Sequence, residues 1–207
     1  MLKQIVVALL LYPLTALSQA GALEDIQRDW AVANYELNGD AQKSALETLV
    51  TTTEAAINAS GKNDASLLIW DGIVKSTLAG KQGGFGALSL VKASRKSLER
   101  ALKLDPDALD GSAYTSLGAL YYQVPGWPVG FGDDKKAREL LEKAISINPD
   151  GIDSNYFYAD FLIQQKELPG ARRALEHALQ APARPGRPVA DKGRRAEIQT
   201  LLESISD

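Results

Sequence analysis

YTSLGALYYQVPGWPVGFGDDKKARELLEKAISINP, from Tyr114 to Pro149, decides how this chain folds. Its outer parts carry helical spacing. Leu117, Gly118 and Tyr121 mark the first part, and Ala137, Leu141 and Ala144 mark the second, with Pro149 closing it. Small residues at these positions let two helix axes approach, and large ones fill the gaps between them. The middle, VPGWPVGFGD, is punctuated by glycine and proline and reads as a loop. The stretch therefore predicts two antiparallel helices joined by an elaborated turn.

The second-helix pattern recurs along the chain. Ala171, Leu175 and Ala178 repeat it 34 residues on, and Ser94, Leu98, Ala101 and Pro106 precede it by 43. This period and residue set are those of the tetratricopeptide repeat. The matching first helices fall at 65–78, with Leu68, Ile69, Trp70, Ile73 and Val74, and at 153–165, where Ala159 takes the glycine slot and Leu162 the tyrosine slot. Residues 24–37 and 41–59 form a divergent first pair. A proline- and glycine-rich linker over 181–193 leads to a terminal helix at 194–205, the cover that the end of a solenoid needs. No stretch alternates with period two, so no strand is expected. The expected fold class is all-α: a tetratricopeptide-repeat-like α-solenoid of about four helix pairs plus a C-terminal capping helix, strongest over 109–182.

Two irregular segments interrupt the repeats at corresponding turns, 80–87 and 124–133. Each contains Gly-Phe-Gly, at 84–86 and 130–132. Corresponding turns of successive repeats share one edge of a solenoid, so two aromatic-bearing loops are expected side by side. Their rings, Phe85, Trp127 and Phe131, either form a lip over the groove or fold back to plug the helix ends, since burying an aromatic ring is favourable. The candidate binding residues are Tyr114, Tyr121, Tyr122, Trp127, Phe131, Phe85 and Trp70.

The chain opens MLKQIVVALLLYPLTALSQA, with a basic start at Lys3, an apolar stretch over 5–17, and a small-x-small site at Ser18-Gln19-Ala20. That is the pattern of a secretory signal over 1–20, leaving a single helical domain at 21–207. The expected location is periplasmic or secreted, with no membrane span after cleavage. Without the leader, 22 basic and 26 acidic residues leave a net charge of −4, and no basic excess suits nucleic acid. There is no cysteine, which excludes disulfides, thiolate zinc sites, cysteine nucleophiles and a lipid-bearing N-terminal cysteine.

The helix pattern ending Leu117-Gly118-Ala119-Leu120-Tyr121-Tyr122, the Pro-Gly-Trp-Pro loop, Gly130-Phe131-Gly132-Asp133 and the closing Asn148-Pro149 resemble the periplasmic TRAP-transporter T-component family of tetratricopeptide proteins. The resemblance spans roughly residues 70–167 and is carried chiefly by the loop. It implies a periplasmic helical protein that partners a solute-binding protein of a tripartite transporter. It also implies a groove or pore for a small, partly apolar ligand. Family members often carry a lipid-bearing cysteine, which this chain lacks.

Motifs for catalysis are missing. His177 is the sole histidine, and neither a nucleophile elbow nor a phosphate-binding glycine–lysine loop occurs. Asp105, Asp107 and Asp110 fail as a calcium loop because Ser116 stands where the closing glutamate belongs. No metal site, cofactor or enzymatic activity is therefore expected. The segment 166–195 is locally basic, with eight Lys or Arg against three acidic residues, and is expected as a solvated face and linker, or as a patch for an anionic lipid surface or an acidic partner. The expected function is a periplasmic scaffold that binds a protein, in a transport setting. The alternative is a carrier or sensor of a small apolar ligand held under the loops at 80–87 and 124–133.

Overall fold

A computed structural model describes residues 14–205; for residues 14–20 and Phe85 only the backbone is described. Among the described residues the chain forms nine helices and no strand: α1 (Leu14–Tyr35), α2 (Gly39–Ala59), α3 (Ala65–Gln82), α4 (Gly84–Leu104), α5 (Ala108–Gln123), α6 (Asp134–Ile147), α7 (Ile152–Gln164), α8 (Leu168–Leu179) and α9 (Pro188–Ser204). Most of the expected leader, 1–13, lies outside the described residues.

The helices pack as four antiparallel pairs, α1/α2, α3/α4, α5/α6 and α7/α8, with α9 following. The glycine slots show how the pairs close. A Cβ on Gly72 would lie 2.5 Å from Leu98 Cγ, and one on Gly118 would lie 2.6 Å from Leu141 Cγ. The first helix of each pair thus offers a bare backbone to a leucine of the second, and both leucines are fully buried. Helix ends are satisfied locally. Asp64 accepts from the Leu67 N–H at 3.0 Å and Asp133 from the Lys136 N–H at 3.0 Å. The buried Gln42 amide donates to the Ala33, Asn34 and Leu37 carbonyls at the end of α1. Asp71, on α3, is buried with the Lys75 ammonium at 2.8 Å and accepts from Ser97 at 2.6 Å and Thr53 at 3.3 Å, tying α2, α3 and α4 together.

Three segments differ from the sequence expectation. The loop predicted over 80–87 is a corner: α3 continues through Gln82, α4 starts at Gly84, and Gly83 alone lies between. Gly83 and Gly84 adopt φ of 64° and 63°, so glycine here allows a reversal within two residues. The paired loops therefore reduce to one, at 124–133. The linker predicted over 181–193 ends early, because Pro188 takes the first turn of α9, where its missing N–H costs nothing. And α5 opens with a left-handed turn at Leu109, Asp110 and Gly111, with φ of 50°, 54° and 72°, before its regular turns begin.

The largest departure concerns α9. It packs on α7 and α8, as a cap would, and also on α1 at the other end of the chain. The first helices of the pairs touch in sequence, α1 on α3, α3 on α5 and α5 on α7, so α9 completes an inner ring of five helices. Gly193 makes the closure possible: a Cβ there would lie 2.3 Å from Tyr35 Cδ1, inside the ring of the last residue of α1. Tyr35 donates to Glu197 of α9 at 3.2 Å.

Gly193→Ala forces α9 off Tyr35. The expected loss is about 1–3 kcal/mol in urea unfolding, the range for overpacking a tight contact. Amide exchange should rise in α9 and α1 before it rises in α5 and α6.

Candidate functional site

Two regions have the geometry of a site, one at the edge of the solenoid and one at its centre. The edge site is built on the 124–133 loop. Gly132 N–H donates to the Pro125 carbonyl at 3.0 Å, Asp133 N–H to the Tyr121 carbonyl at 2.8 Å, and Gly130 N–H to the Gly126 carbonyl at 3.0 Å. The backbone folds on itself so closely that a Cβ on Gly132 would lie 1.9 Å from the Val124 carbonyl oxygen. Only glycine fits such an approach. The result is a braced loop whose aromatic residues take opposite roles. Phe131 folds inward, edge-on to Tyr121 at 5.5 Å between ring centres, with the Arg95 guanidinium 4.8 Å from its centre. Trp127 points outward and is 90% exposed, with Val129 beside it at 62%.

Below this loop runs an apolar groove of about 530 Å³. Ala79, Gly84, Leu88 and Val91 line one side, and Val124 and Val129 the other. It occupies the position expected for a ligand under the loops, although one wall is the α3–α4 corner and not a second loop. Phe85 lies in the first turn of α4, and its side chain is outside the described set.

The remaining candidates are not displayed at this edge. Tyr122 is buried, packs against Phe161 and donates to Asp160 of α7 at 2.7 Å. Burial, reinforced by that carboxylate, holds its hydroxyl well above the usual tyrosine range. Tyr114 and Tyr121 are half-buried against the core. Trp70 is buried, edge-on to Trp30 at 5.5 Å.

The central site is the interior of the helix ring, a cavity of about 400 Å³. Trp30 and Trp70 form one wall and Phe157 another. Ser112, Thr115, Ser116, Ala119 and Gln123 line it from α5 at helical spacing, and Arg184, Arg187 and Arg194 come from the C-terminal segment. Three members of the basic tract thus face inward, which overturns the expectation of a solvated face for them. Lys166, Arg172, Arg173, Lys192 and Arg195 do not line the cavity.

Asp153, at the start of α7, organises these charges. It receives Arg194 Nε at 2.7 Å and an Arg184 terminal nitrogen at 2.6 Å. Arg184 also bonds Asp191 at 2.6 Å and Arg194 bonds Glu197 at 2.7 Å. Arg194 further stacks over Tyr156 at 4.1 Å and Phe157 at 4.8 Å. Burial would raise the Asp153 carboxyl, but the two arginines outweigh it and hold the group well below the usual carboxylate range. Sequence reading missed this network because its partners lie far apart in the chain; the one signal was the run of arginines among prolines, APARPGRPVADKGRR.

Residues 130–186 match the sequence model of the tetratricopeptide repeat family. The fold is a tetratricopeptide-repeat-like α-solenoid. The matched segment holds α6, α7, α8 and Arg184, so the tetratricopeptide frame itself positions Asp153. No curated protein matches the chain.

Asp153→Asn leaves Arg194 without its central partner. The expected cost at pH 7 is about 3 kcal/mol, the low end for breaking a buried pair, because Asp153 keeps a third of its side chain open. A carboxyl depressed on folding stabilises fully above its unfolded pKa of about 3.9, and that stabilisation fades as the pH falls further. The gap between wild type and Asp153→Asn, followed by urea unfolding, should therefore be constant from pH 7 to about pH 5. It should narrow below about pH 4.

Proposed function

We propose that this chain is an exported, periplasmic tetratricopeptide scaffold that binds a protein through the Trp127 edge. The proposed partner belongs to a TRAP-type transport system and is a solute-binding protein. Tetratricopeptide repeats generally mediate protein interactions, and the fold is typically a non-enzymatic scaffold. The observation that carries the reading is Trp127, exposed at 90% on a loop fixed by its own backbone hydrogen bonds. A rigid, exposed tryptophan beside an apolar groove is the kind of anchor that dominates protein interfaces. The loop backbone is already braced, so little backbone freedom is lost on docking. The leader-like sequence at 1–20 supports export, and no described helix is long and apolar enough to cross a membrane. The Pro-Gly-Trp-Pro and Gly-Phe-Gly-Asp resemblance supports the transport setting.

Trp127→Ala should leave stability within about 0.5 kcal/mol, as for an exposed site. It should lower affinity for a TRAP-type solute-binding protein of the same organism at least tenfold by surface plasmon resonance. Unchanged binding would sink the assignment of Trp127. Phe131→Ala, in contrast, should destabilise the loop, because its ring is packed on Tyr121 and Arg95.

A second reading, a carrier of a small apolar ligand, is favoured by the groove under the loop, whose walls are mainly apolar, with Ser76 and Gln123 as the polar members. Native mass spectrometry of the protein taken from its own periplasm should then show a bound mass that is lost in Val91→Trp, which fills the groove. A bare spectrum after mild preparation counts against it.

A further inference from the structure

The charges around the central cavity do not balance pairwise. Three arginines meet three carboxylates on the C-terminal side, but Asp153, Asp191 and Glu197 are all engaged by Arg184 and Arg194. A fourth carboxylate, Asp110 of α5, also lines the cavity and makes no ion pair among the described residues. Arg187 is left over. Its Nε is buried with no hydrogen-bond partner, and no ion pair reaches the guanidinium among the described residues. The Trp70 ring lies beside it, with the guanidinium carbon 5.1 Å from the ring centre, and Asp153 and Asp191 act on it only through their field. Arg187 as a whole is only partly buried, but a buried guanidinium N–H without an acceptor is costly, and native proteins rarely keep one without a use. Burial and the nearby Arg184 charge both disfavour the protonated form and lower its pKa, yet an arginine stays charged at any physiological pH.

Opposite Arg187 the cavity is polar. Thr115 and Ser116 of α5 line it, and neither hydroxyl has a hydrogen-bond partner among the described residues. Gln27 of α1 adds an amide. The tryptophans, in between, supply a flat apolar wall. A cavity of about 400 Å³ has the size of a small-molecule site and is too confined for a folded partner. Because α9 and α1 close the ring, an extended peptide has no open groove to follow here.

We propose that the ring interior binds a small organic oxyanion. A carboxylate or phosphate head pairs with the Arg187 guanidinium, and the body of the molecule lies between Trp70 and the hydroxyls of Thr115 and Ser116. Arginine offers two parallel N–H donors to such a head, and desolvation by the surrounding rings strengthens the pair. The site is supplied jointly by a repeat helix and by the C-terminal segment, so ligand and ring closure are linked: an anion on Arg187 holds the segment before α9 in place. This site is separate from the Trp127 edge and stands or falls independently of it.

The test uses the full chain and three probe anions, benzoate, gluconate and inorganic phosphate, with glucose as an uncharged control, by calorimetric titration and thermal midpoint. At least one anion should bind once per chain and raise the midpoint, while glucose should not. Carboxylate and phosphate arms identify the head. Arg187→Ala should weaken that binding at least tenfold, and Arg187→Lys should keep part of it, since the charge remains but the fork is lost. Thr115→Val should weaken a hydroxylated probe more than benzoate. Without any anion, Arg187→Ala should unfold at or above the wild-type midpoint, because an unpaired charge has been removed. Failure of all three anions, binding that Arg187→Ala leaves unchanged, or a drop in the anion-free midpoint that marks Arg187 as a structural clamp on Trp70, would each overturn the proposal.

Discussion

A single carboxylate, Asp153, holds the C-terminal segment of this chain against the repeats. It sits at the first turn of α7 and is shared by Arg184 before α9 and Arg194 within α9. An ion pair at a solvated surface contributes little. This one differs because Arg194 is 92% covered, stacked on Tyr156 and Phe157, and bonded again to Glu197. The desolvation cost of such a group is recovered only when every donor finds an acceptor. That requirement fixes the position of α9, and the position of α9 fixes the shape of the molecule.

Helical repeats of this kind ordinarily wind into an open superhelix with an exposed concave face. Here the face is turned into an interior. The first helices of the four pairs form most of a ring, and α9 fills the remaining place against α1. The contact is close because Gly193 presents bare backbone to Tyr35. The same device operates at Gly72 and Gly118 within the pairs. Removing a Cβ is thus the common means by which this sequence brings helices together, and the closure uses it across 158 residues of chain.

Closure separates two surfaces that an open solenoid would merge. The edge carries Trp127, held out by a loop whose glycines are set by backbone contact. The interior carries hydroxyls, indole walls, the Asp110 carboxylate and a guanidinium, that of Arg187, without an ion pair among the described residues. Protein recognition suits the first, because it is rigid, apolar and accessible. Recognition of something small and charged suits the second, because it is partly enclosed and contains a guanidinium with no ion-pair partner among the described residues.

Much of the fold was legible in the chain. Helical spacing, the Ala-Leu-Ala pattern at a 34-residue interval and the capping residues Asp64 and Asp133 are local signals, and local signals determine helices and their pairing. The aromatic loop was legible too, since Gly130 and Gly132 have no other explanation than tight backbone. The fate of each ring was not: Trp127 and Phe131 lie four residues apart in one loop, yet which one turns outward depends on Tyr121 and Arg95, which lie on other elements. Gly83 and Gly84 shows the same limit, because a glycine pair signals a reversal without giving its length. The central site was the least legible part. Composition shows arginines in the C-terminal segment, but their pairing with Asp153 joins residues 31 and 41 positions apart. The sequence alone therefore determined the repeated helix pair, through short-range periodicity. Only the tertiary structure decided that the ends meet, because closing the ring depends on a shared buried charge and a missing Cβ whose partners no local pattern connects.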